Sequence, residues 1–550
     1  MTISRARLLE ALSILLTIIL SLYINSLDVN GVLRTSLENR SSVIALQVLL
    51  TLTLYLLLRL ILPTIAAFIA VVFTCFAVFD ISYNKYKLTE RPISANDFYS
   101  LDNALISFHF ASWAQIIILS AIVAILILSC LMYIRNEKPK SLVRFTALCA
   151  ILLIFYLGYS KYKQDAIGWL SDHGVKYASW DQAKNFNENG VLIHLLQTSA
   201  RSIPPKATPS EREKYKEWVS AVKVAADHPT NFIMILCESC WYDENNFKKE
   251  FAPLLDLGPT ELRGLSPIYG GGTPNATLEF LSSLPMQNNA LYGVFYQEYG
   301  EIVSREPDTL PFYLSRSGIS SYSLHNFHST MYKRSAVEPR LGFSEFIGLE
   351  KMDNTDTQNY FPRDYVVYNA AKDVLSTRSA EPTFMHIATV YTHGPYAPVN
   401  GDNGYNSYGE KIATTAQDAA DFIRHALSLD EETVIFLYGD HKPPMWDHFK
   451  DSSPLEKADV PILLFDKNKN RANEIANKAN GKPFYCYSTY ISNVYYGLTL
   501  PAHNFTHSLC DEFTPEKLDQ DAQSVPHWLY FESLLGKTSK PGTEIHVGLD

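Results

Sequence analysis

Hydrophobic positions are arranged in two ways along this chain. Up to about residue 160 they form long, nearly unbroken runs. Beyond residue 230 they form short runs separated by helix-length amphipathic stretches. Five of the long runs, Leu8–Leu27, Ser42–Leu58, Leu60–Asp80, Trp113–Ile134 and Leu142–Tyr159, come near the roughly 20 apolar residues that cross a bilayer. The short runs are Asn231–Cys237, Ile319–Leu324, Phe384–Tyr391 and Thr433–Tyr438, all rich in Val, Ile, Phe or Tyr. Continuous apolar stretches of this length predict strands buried on both faces, and the helical spacing between them predicts a mostly parallel sheet flanked by helices, an α/β fold. Ligands in such sheets bind beyond the carboxyl ends of the strands. Here the four runs lead into Glu238, His325, Thr392-His393 and Asp440-His441.

The pattern divides the chain into a five-span membrane domain over 1–160, an interfacial helix and linker over 161–226, and a catalytic domain over 227–550. The first run is too long for a cleavable leader and no small-residue cleavage site follows it. Arg5 and Arg7, Arg59, and the group Arg135, Lys138, Lys140 and Arg144 fall on one side of a five-span chain. The positive-inside rule makes that side cytoplasmic, although Arg34 and Arg40 lie opposite. An odd number of spans then puts everything after Tyr159 outside the cytoplasm of a multi-pass plasma (inner) membrane protein, in the periplasm of a Gram-negative cell. The linker carries Trp169, Trp180 and Trp218 and a Pro-rich SIPPKATPSERE stretch.

A net charge of −10 without a basic stripe argues against a nucleic-acid partner. The seven cysteines show no zinc-ribbon spacing. Cys237–Cys240 is a CxxC pair, but it closes a strand beside Glu238, so a redox motif is the minor reading. Cys486 and Cys510 could pair if their domain lies outside the cytoplasm.

Tyr269-Gly270-Gly271-Gly272-Thr273-Pro274-Asn275 precedes a segment with helical spacing. Glycines let the backbone approach a ligand, and Pro274 suits the first helical position after a Thr cap. Thr273 would then stand at a helix N-terminus, where a phosphate or an alkoxide is stabilised. A metal on the same hydroxyl would make it a nucleophile, whereas a plain helix cap is the equal alternative. Asp440-His441 offers a hard oxygen and an imidazole suited to Mn²⁺, Mg²⁺ or Zn²⁺. Glu238, His325 and His393 could each be ordinary residues alone; their shared place at strand ends unites them.

Taken in order, CES (Glu238), GGGTPN (Thr273), LHN…YKR (His325, Tyr332, Arg334), THGPY (His393) and YGDH (Asp440, His441) resemble lipoteichoic acid synthase-like phosphoglycerol transferases of the alkaline phosphatase/sulfatase superfamily. The likeness covers about Asn231–Pro444 and implies a sulfatase-like fold. It implies one divalent ion, usually Mn²⁺, held by Glu238, Thr273, Asp440 and His441. It also implies that Thr273 takes a phospho-head-group from a membrane phospholipid and passes it to a glycan or lipid acceptor. His325, Tyr332, Arg334 and His393 would line the head-group pocket, with Arg334 and His393 assisting catalysis. Two positions depart from the family: Phe327 replaces an acidic residue that helps bind glycerol, and Tyr332 replaces a tryptophan. A phosphoethanolamine transferase using phosphatidylethanolamine is therefore the competing reading. A silent head-group sensor and a phosphate- or sulfate-ester hydrolase are further alternatives. No Cys/Ser-x-Pro-x-Arg sequence for formylglycine surrounds Thr273, which disfavours a true sulfatase.

Overall fold

In a computed structural model of the 550-residue chain, the residues described are 2–33, 41–89, 92–95, 97, 127–128, 138–177, 182–200, 203–377, 381–430, 432–443, 445, 449 and 454–536. The chain forms two compact units, Met1–Ser202 and Ile203–Asp550.

The first unit contains α1 (Thr2–Asn25), α2 (Ser41–Arg59), α3 (Thr64–Thr89), α4 (Lys138–Asp172), α5 (Gln182–Asn189) and α6 (Val191–Thr198). Among the described residues three segments are long and apolar enough to cross a membrane: Arg7–Asn25, Ser41–Arg59 and Thr64–Tyr86. A fourth is possible if the bent pair Val143–Tyr159 and Lys161–Asp172 counts as one span. Five spans were expected. Nearly all of the expected span Trp113–Ile134 lies outside the described residues, so three, or up to four, is the number found. Leu8, Leu15, Leu49, Leu56, Ile65 and Phe76 point away from the bundle, as side chains meant for lipid do. Inside, polar side chains satisfy each other: Ser21 bonds Thr51 at 2.6 Å, and Asn25 Oδ1 accepts the Leu192 N–H at 3.1 Å. Gln47 Nε2 donates to the Asn189 carbonyl at 2.7 Å, so α5 and α6 dock on the ends of the long helices.

The second unit is built on an eight-stranded sheet in the order β4-β3-β5-β1-β6-β7-β2-β8. The strands are β1 (Asn231–Cys237), β2 (Thr260–Leu265), β3 (Ser320–His325), β4 (Glu345–Gly348), β5 (Thr383–Ala388), β6 (Thr433–Gly439), β7 (Asp459–Phe465) and β8 (Lys482–Pro483), with helix α9 (Leu310–Arg316) leading into β3. Only β7 runs against its neighbours, pairing antiparallel with β6 and β2, so the sheet is mixed but mostly parallel. The apolar runs fold as strands because every residue of β1, β5 and β6 is buried on one face or the other. On one face Ile233, Ile235, Met385, Ile387, Ile435 and Leu437 pack with α10 (Tyr365–Thr377) and α11 (Tyr405–Leu429). On the other, Phe232, Phe436 and Tyr438 stack against Phe280 of α8 (Thr273–Ser282) and against Phe484, Tyr487 and Tyr495 of α12 (Phe484–Tyr496). Each strand side chain buried this way contributes about 1.5–3 kcal/mol of hydrophobic free energy.

The register places the site. Leu236, His325 and Ala388 stand level across β1, β3 and β5, and Cys237 stands level with Gly439 of β6. The residues just past these positions therefore meet at one edge. α7 (Pro209–Ala221), inside the expected linker, belongs to this unit: Tyr215 donates to Asp308, and Trp218 stacks on Trp528 at 6.4 Å.

Candidate metal centre

Glu238, Asp440 and His441 converge. Each offers a ligand atom, and the three atoms lie within 4.8 Å of one another. His441 Nε2 is 3.3 Å from Glu238 Oε1 and 3.6 Å from Asp440 Oδ2. The Thr273 hydroxyl donates to Glu238 Oε2 at 3.2 Å, so all four expected ligands are adjacent, and all are at most 5% exposed.

Each position follows from local structure. Ser239 N–H donates to Asp440 Oδ1 at 2.7 Å, and the His441 N–H reaches the same oxygen at 3.0 Å. Gly439 is required where it stands, because a Cβ there would lie 2.0 Å from the Cys240 carbonyl oxygen. A disulfide joins Cys237 to Cys240 across Glu238, where the sequence favoured no redox pair; a second joins Cys486 to Cys510. The helix α8 starts at Thr273 with Gly272 as its cap at φ 121°, a left-side conformation that suits glycine. Thr273 is thus the first helical residue rather than the cap, and its hydroxyl points at a carboxylate.

The donor set suits a divalent cation. His441 Nδ1 lies 2.9 Å from the Lys442 carbonyl, which can only accept, so Nδ1 carries the proton. The other ring nitrogen, Nε2, faces both carboxylates, where either a second proton or a divalent ion would sit. A second-position bond from a ligating imidazole to a backbone carbonyl is the usual way its tautomer is fixed. Asp440 Oδ2 is buried and accepts no hydrogen bond among the described residues. Burial raises the Glu238 carboxyl, but the His441 hydrogen bond, the charges of His393 and His441 and the Thr273 hydroxyl outweigh it and hold Glu238 low. Burial and the neighbouring Glu238 charge push Asp440 up. A divalent ion would supply the counter-charge that lets both carboxylates ionise together.

The expected pocket residues lie around this trio. His325 and His393 both act electrostatically on Glu238 or feel its charge. His325 Nδ1 donates to the Ala388 carbonyl at 2.9 Å, and burial followed by the Arg334 charge lowers its pKa to about 3, so it stays neutral. His393 Nδ1 donates to the Gly394 carbonyl at 2.7 Å. Tyr332 and Lys333 adopt left-handed φ angles of 53° and 57° in the turn before Arg334, a costly conformation for bulky residues. Arg334 is 1% exposed and donates from Nη1 to Glu338 at 2.9 Å, while its Nε has no hydrogen-bond partner among the described residues.

Several supports were not expected from sequence. Thr389 Oγ accepts the Glu238 N–H at 3.1 Å, Thr392 donates to the Glu238 carbonyl, and Ser266 donates to the Asp440 carbonyl. Asp364 is fully buried. It accepts from Asn326 Nδ2 at 3.1 Å, from the Val390 and Tyr391 N–H groups at 3.2 Å each, and from Thr415 at 2.8 Å. One carboxylate therefore ties the loop after His325 to the loop before His393. A lone Asp in an RDY sequence carries no pattern that would have revealed this.

The sulfatase family model matches residues 230–494. The match spans a little under half of the chain and takes in Glu238, Thr273, Asp440 and His441. A putative cyclic beta-1,2-glucan modification protein of Rhizobium meliloti (strain 1021) is 25% identical over 370 residues, covering 60% of this chain. The match spans 56% of that relative, a little over half its length. Among solved structures, the Streptococcus pyogenes phosphoglycerol transferase GacH in complex with sn-glycerol-1-phosphate is 16% identical. That match covers 61% of this chain and 97% of that one, with a TM-score of 0.42. The Neisseria meningitidis lipooligosaccharide phosphoethanolamine transferase EptA is 15% identical, covering 87% of this chain and 95% of that one, with a TM-score of 0.44.

Proposed function

We propose that this chain is a membrane-anchored, metal-dependent transferase that moves a phosphoglycerol head group from phosphatidylglycerol to an extracytoplasmic glycan or lipid. The observation that carries the reading is the Thr273 hydroxyl, set at a helix start and hydrogen-bonded into the Glu238–Asp440–His441 trio. Glu238, Thr273, Asp440 and His441 would hold one divalent ion, Mn²⁺ in first place with Zn²⁺ or Mg²⁺ as alternatives. When bound, the ion would make the hydroxyl more acidic and draw charge from the phosphoryl oxygens.

Thr273 Oγ attacks the phosphorus of the lipid head group, gives its proton to Glu238 Oε2, from which it returns when Thr273 leaves in the second step, and forms a phosphothreonine-type diester. The bond from phosphorus to the diacylglycerol oxygen breaks, and that oxygen takes a proton, with His393 as the candidate donor. The helix start and Arg334 offer N–H groups to the negative oxygens. An acceptor hydroxyl then attacks the same phosphorus, passes its proton to His393, and restores Thr273. A tethered domain meets a bilayer-confined donor at high effective concentration. The Cys237–Cys240 and Cys486–Cys510 disulfides support an oxidising, extracytoplasmic location for this unit, as the loop charges do.

The competing donor is phosphatidylethanolamine. The test is to incubate the purified full-length protein with Mn²⁺ and either labelled lipid, then find by mass spectrometry which adduct sits on Thr273. A glycerophosphoryl adduct on Thr273, absent in Thr273→Ala, is expected. Turnover of Thr273→Ala within tenfold of wild type removes Thr273 from the chemistry.

A further inference from the structure

The turn that leaves β1 is closed by a covalent bond and touches two of the three metal-ligand candidates. Cys237, the last residue of β1, is joined to Cys240, and both are fully buried in the core. Only Glu238 and Ser239 lie between them. Glu238 is one candidate ligand, and Ser239 serves another, because its N–H donates to Asp440 Oδ1 at 2.7 Å. The Ser239 hydroxyl donates to Glu238 Oε1 at 3.2 Å. The Cys240 carbonyl lies so close to Gly439 that no side chain fits there, which sets the turn against the residue before Asp440.

This turn needs holding. Ser239 has a φ of 52°, a left-handed conformation that residues with a Cβ adopt at a cost. The turn's own backbone hydrogen bond, from the Cys240 N–H to the Cys237 carbonyl, is 3.2 Å long, at the weak end of the usual range. Tyr408 of α11 donates to the Ser239 carbonyl at 2.6 Å and accepts the Trp241 N–H at 3.1 Å, which fixes the outer side of the turn. The disulfide fixes its two ends. Loop-closure stabilisation grows with the length of chain enclosed, and this bond spans a separation of 3 residues against 24 for Cys486–Cys510. Its effect is therefore mainly local, on the residues it encloses.

Resting on the metal reading of this site, we propose that Cys237 and Cys240 are positioning residues of the metal centre. Their disulfide locks the turn that carries Glu238 and holds Asp440, so high affinity for the divalent ion belongs to the oxidised protein.

The test titrates Mn²⁺ alone into the detergent-solubilised full-length protein and reads free ion by electron paramagnetic resonance. Cys237→Ala/Cys240→Ala is expected to raise the Mn²⁺ Kd roughly 10- to 100-fold, the range that follows loss of an outer support of a ligand. Cys486→Ala/Cys510→Ala should lower the metal-free melting temperature and leave that Kd within about twofold of wild type. A Kd unmoved in the first double variant, or an equal rise in both, makes the bond a structural one and overturns the assignment.

Reciprocity supplies a second measurement that needs no variant. In a buffer of reduced and oxidised dithiothreitol, the reagent's two thiols pass two electrons and two protons to the bond and become a disulfide. With Mn²⁺ saturating both forms of the protein, the reduced-to-oxidised ratio at which half of Cys237–Cys240 is open should rise by the same factor, about 30–60 mV. Cys486–Cys510, read in the same mass spectra, should not move. A Cys237–Cys240 midpoint that Mn²⁺ leaves in place overturns the assignment, and it decides even where the double variant does not fold. In either failure, wild type that binds Mn²⁺ keeps the metal reading. Wild type that binds none overturns that reading, and this assignment with it.

Discussion

Replacing Asp440 with asparagine should have opposite effects with and without metal. The ligand atoms of Glu238, Asp440 and His441 lie within 4.8 Å of one another. Two ionised carboxylates at that range repel by roughly 3.5 kcal/mol at an effective dielectric constant of about 20. Without metal, much of this is relieved because burial and Glu238 push Asp440 toward its protonated form. D440N removes what is left, about 1 kcal/mol at neutral pH, and leaves two bonds in place. Its amide oxygen still accepts the Ser239 and His441 N–H groups now made at 2.7 and 3.0 Å, and its NH₂ can donate toward Glu238. The metal-free variant should therefore melt at or slightly above wild type. With Mn²⁺ at about a hundred times its Kd, wild type should gain about 2.7 kcal/mol, or roughly 5 °C. D440N, lacking one anionic ligand, should gain less than about 1 °C. Tryptophan fluorescence of the detergent-solubilised full chain reads both, with exposed Asp421→Asn as a control. A D440N protein that is strongly destabilised without metal, yet still shifts with Mn²⁺ as wild type does, would make Asp440 a structural partner and refute the metal assignment.

Two further perturbations probe buried charges nearby. Arg334→Lys keeps the charge but loses the planar fork that serves Glu338 and leaves Nε for a phosphate, so turnover should fall well beyond tenfold; unchanged turnover would leave Arg334 as only the partner of Glu338. Glu279 on α8 accepts the Met286 N–H at 2.6 Å, and burial raises its pKa to about 8, above the unfolded value near 4.5. The stability owed to its protonated form is full below pH 4.5 and is lost as pH rises through 8, which makes about 2 kcal/mol between pH 6 and 8. Glu279→Gln should abolish that part of the slope in paired melts at the two pH values, and parallel slopes for both proteins would refute it.

What sequence could show was governed by how local each signal is. β1 has the predicted bounds, Asn231–Cys237, because a strand buried on both faces writes itself as an unbroken apolar run. Its neighbours β3, β5 and β6 begin or end within a few residues of the expected runs, and they carry the residues that were singled out. β7, Asp459–Phe465, has the same apolar character and also runs into a carboxylate, Asp466, but its reversed direction, set by pairing with β2 nearly 200 positions earlier, ends it away from the site, where Asp466 accepts from Arg471 and Tyr495. Thr273 was expected at a helix N-terminus, either as nucleophile and metal ligand or as a plain cap; Gly272 takes the cap position, and the Thr273 hydroxyl faces Glu238. Asp364 acts through backbone groups of distant loops, so nothing in its own neighbourhood marks it.

The difference between the legible and the hidden parts has a physical basis. Metal-ligand candidates at strand ends follow from rigidity, because a sheet edge can hold two carboxylates and an imidazole within 4.8 Å of one another against the repulsion of the carboxylates. That requirement is written locally, as an apolar run followed by Glu or Asp-His. The surrounding hydrogen bonds from Thr389, Thr392, Ser239 and Ser266 meet a different need: they satisfy the backbone of residues 238 and 440 where water is absent. Any small hydroxyl or N–H can do that from anywhere in the chain, so sequence carries little trace of it. The convergence of the centre could thus be anticipated from its strand ends, while the support of its backbone depends on contacts that exist only after the sheet has folded.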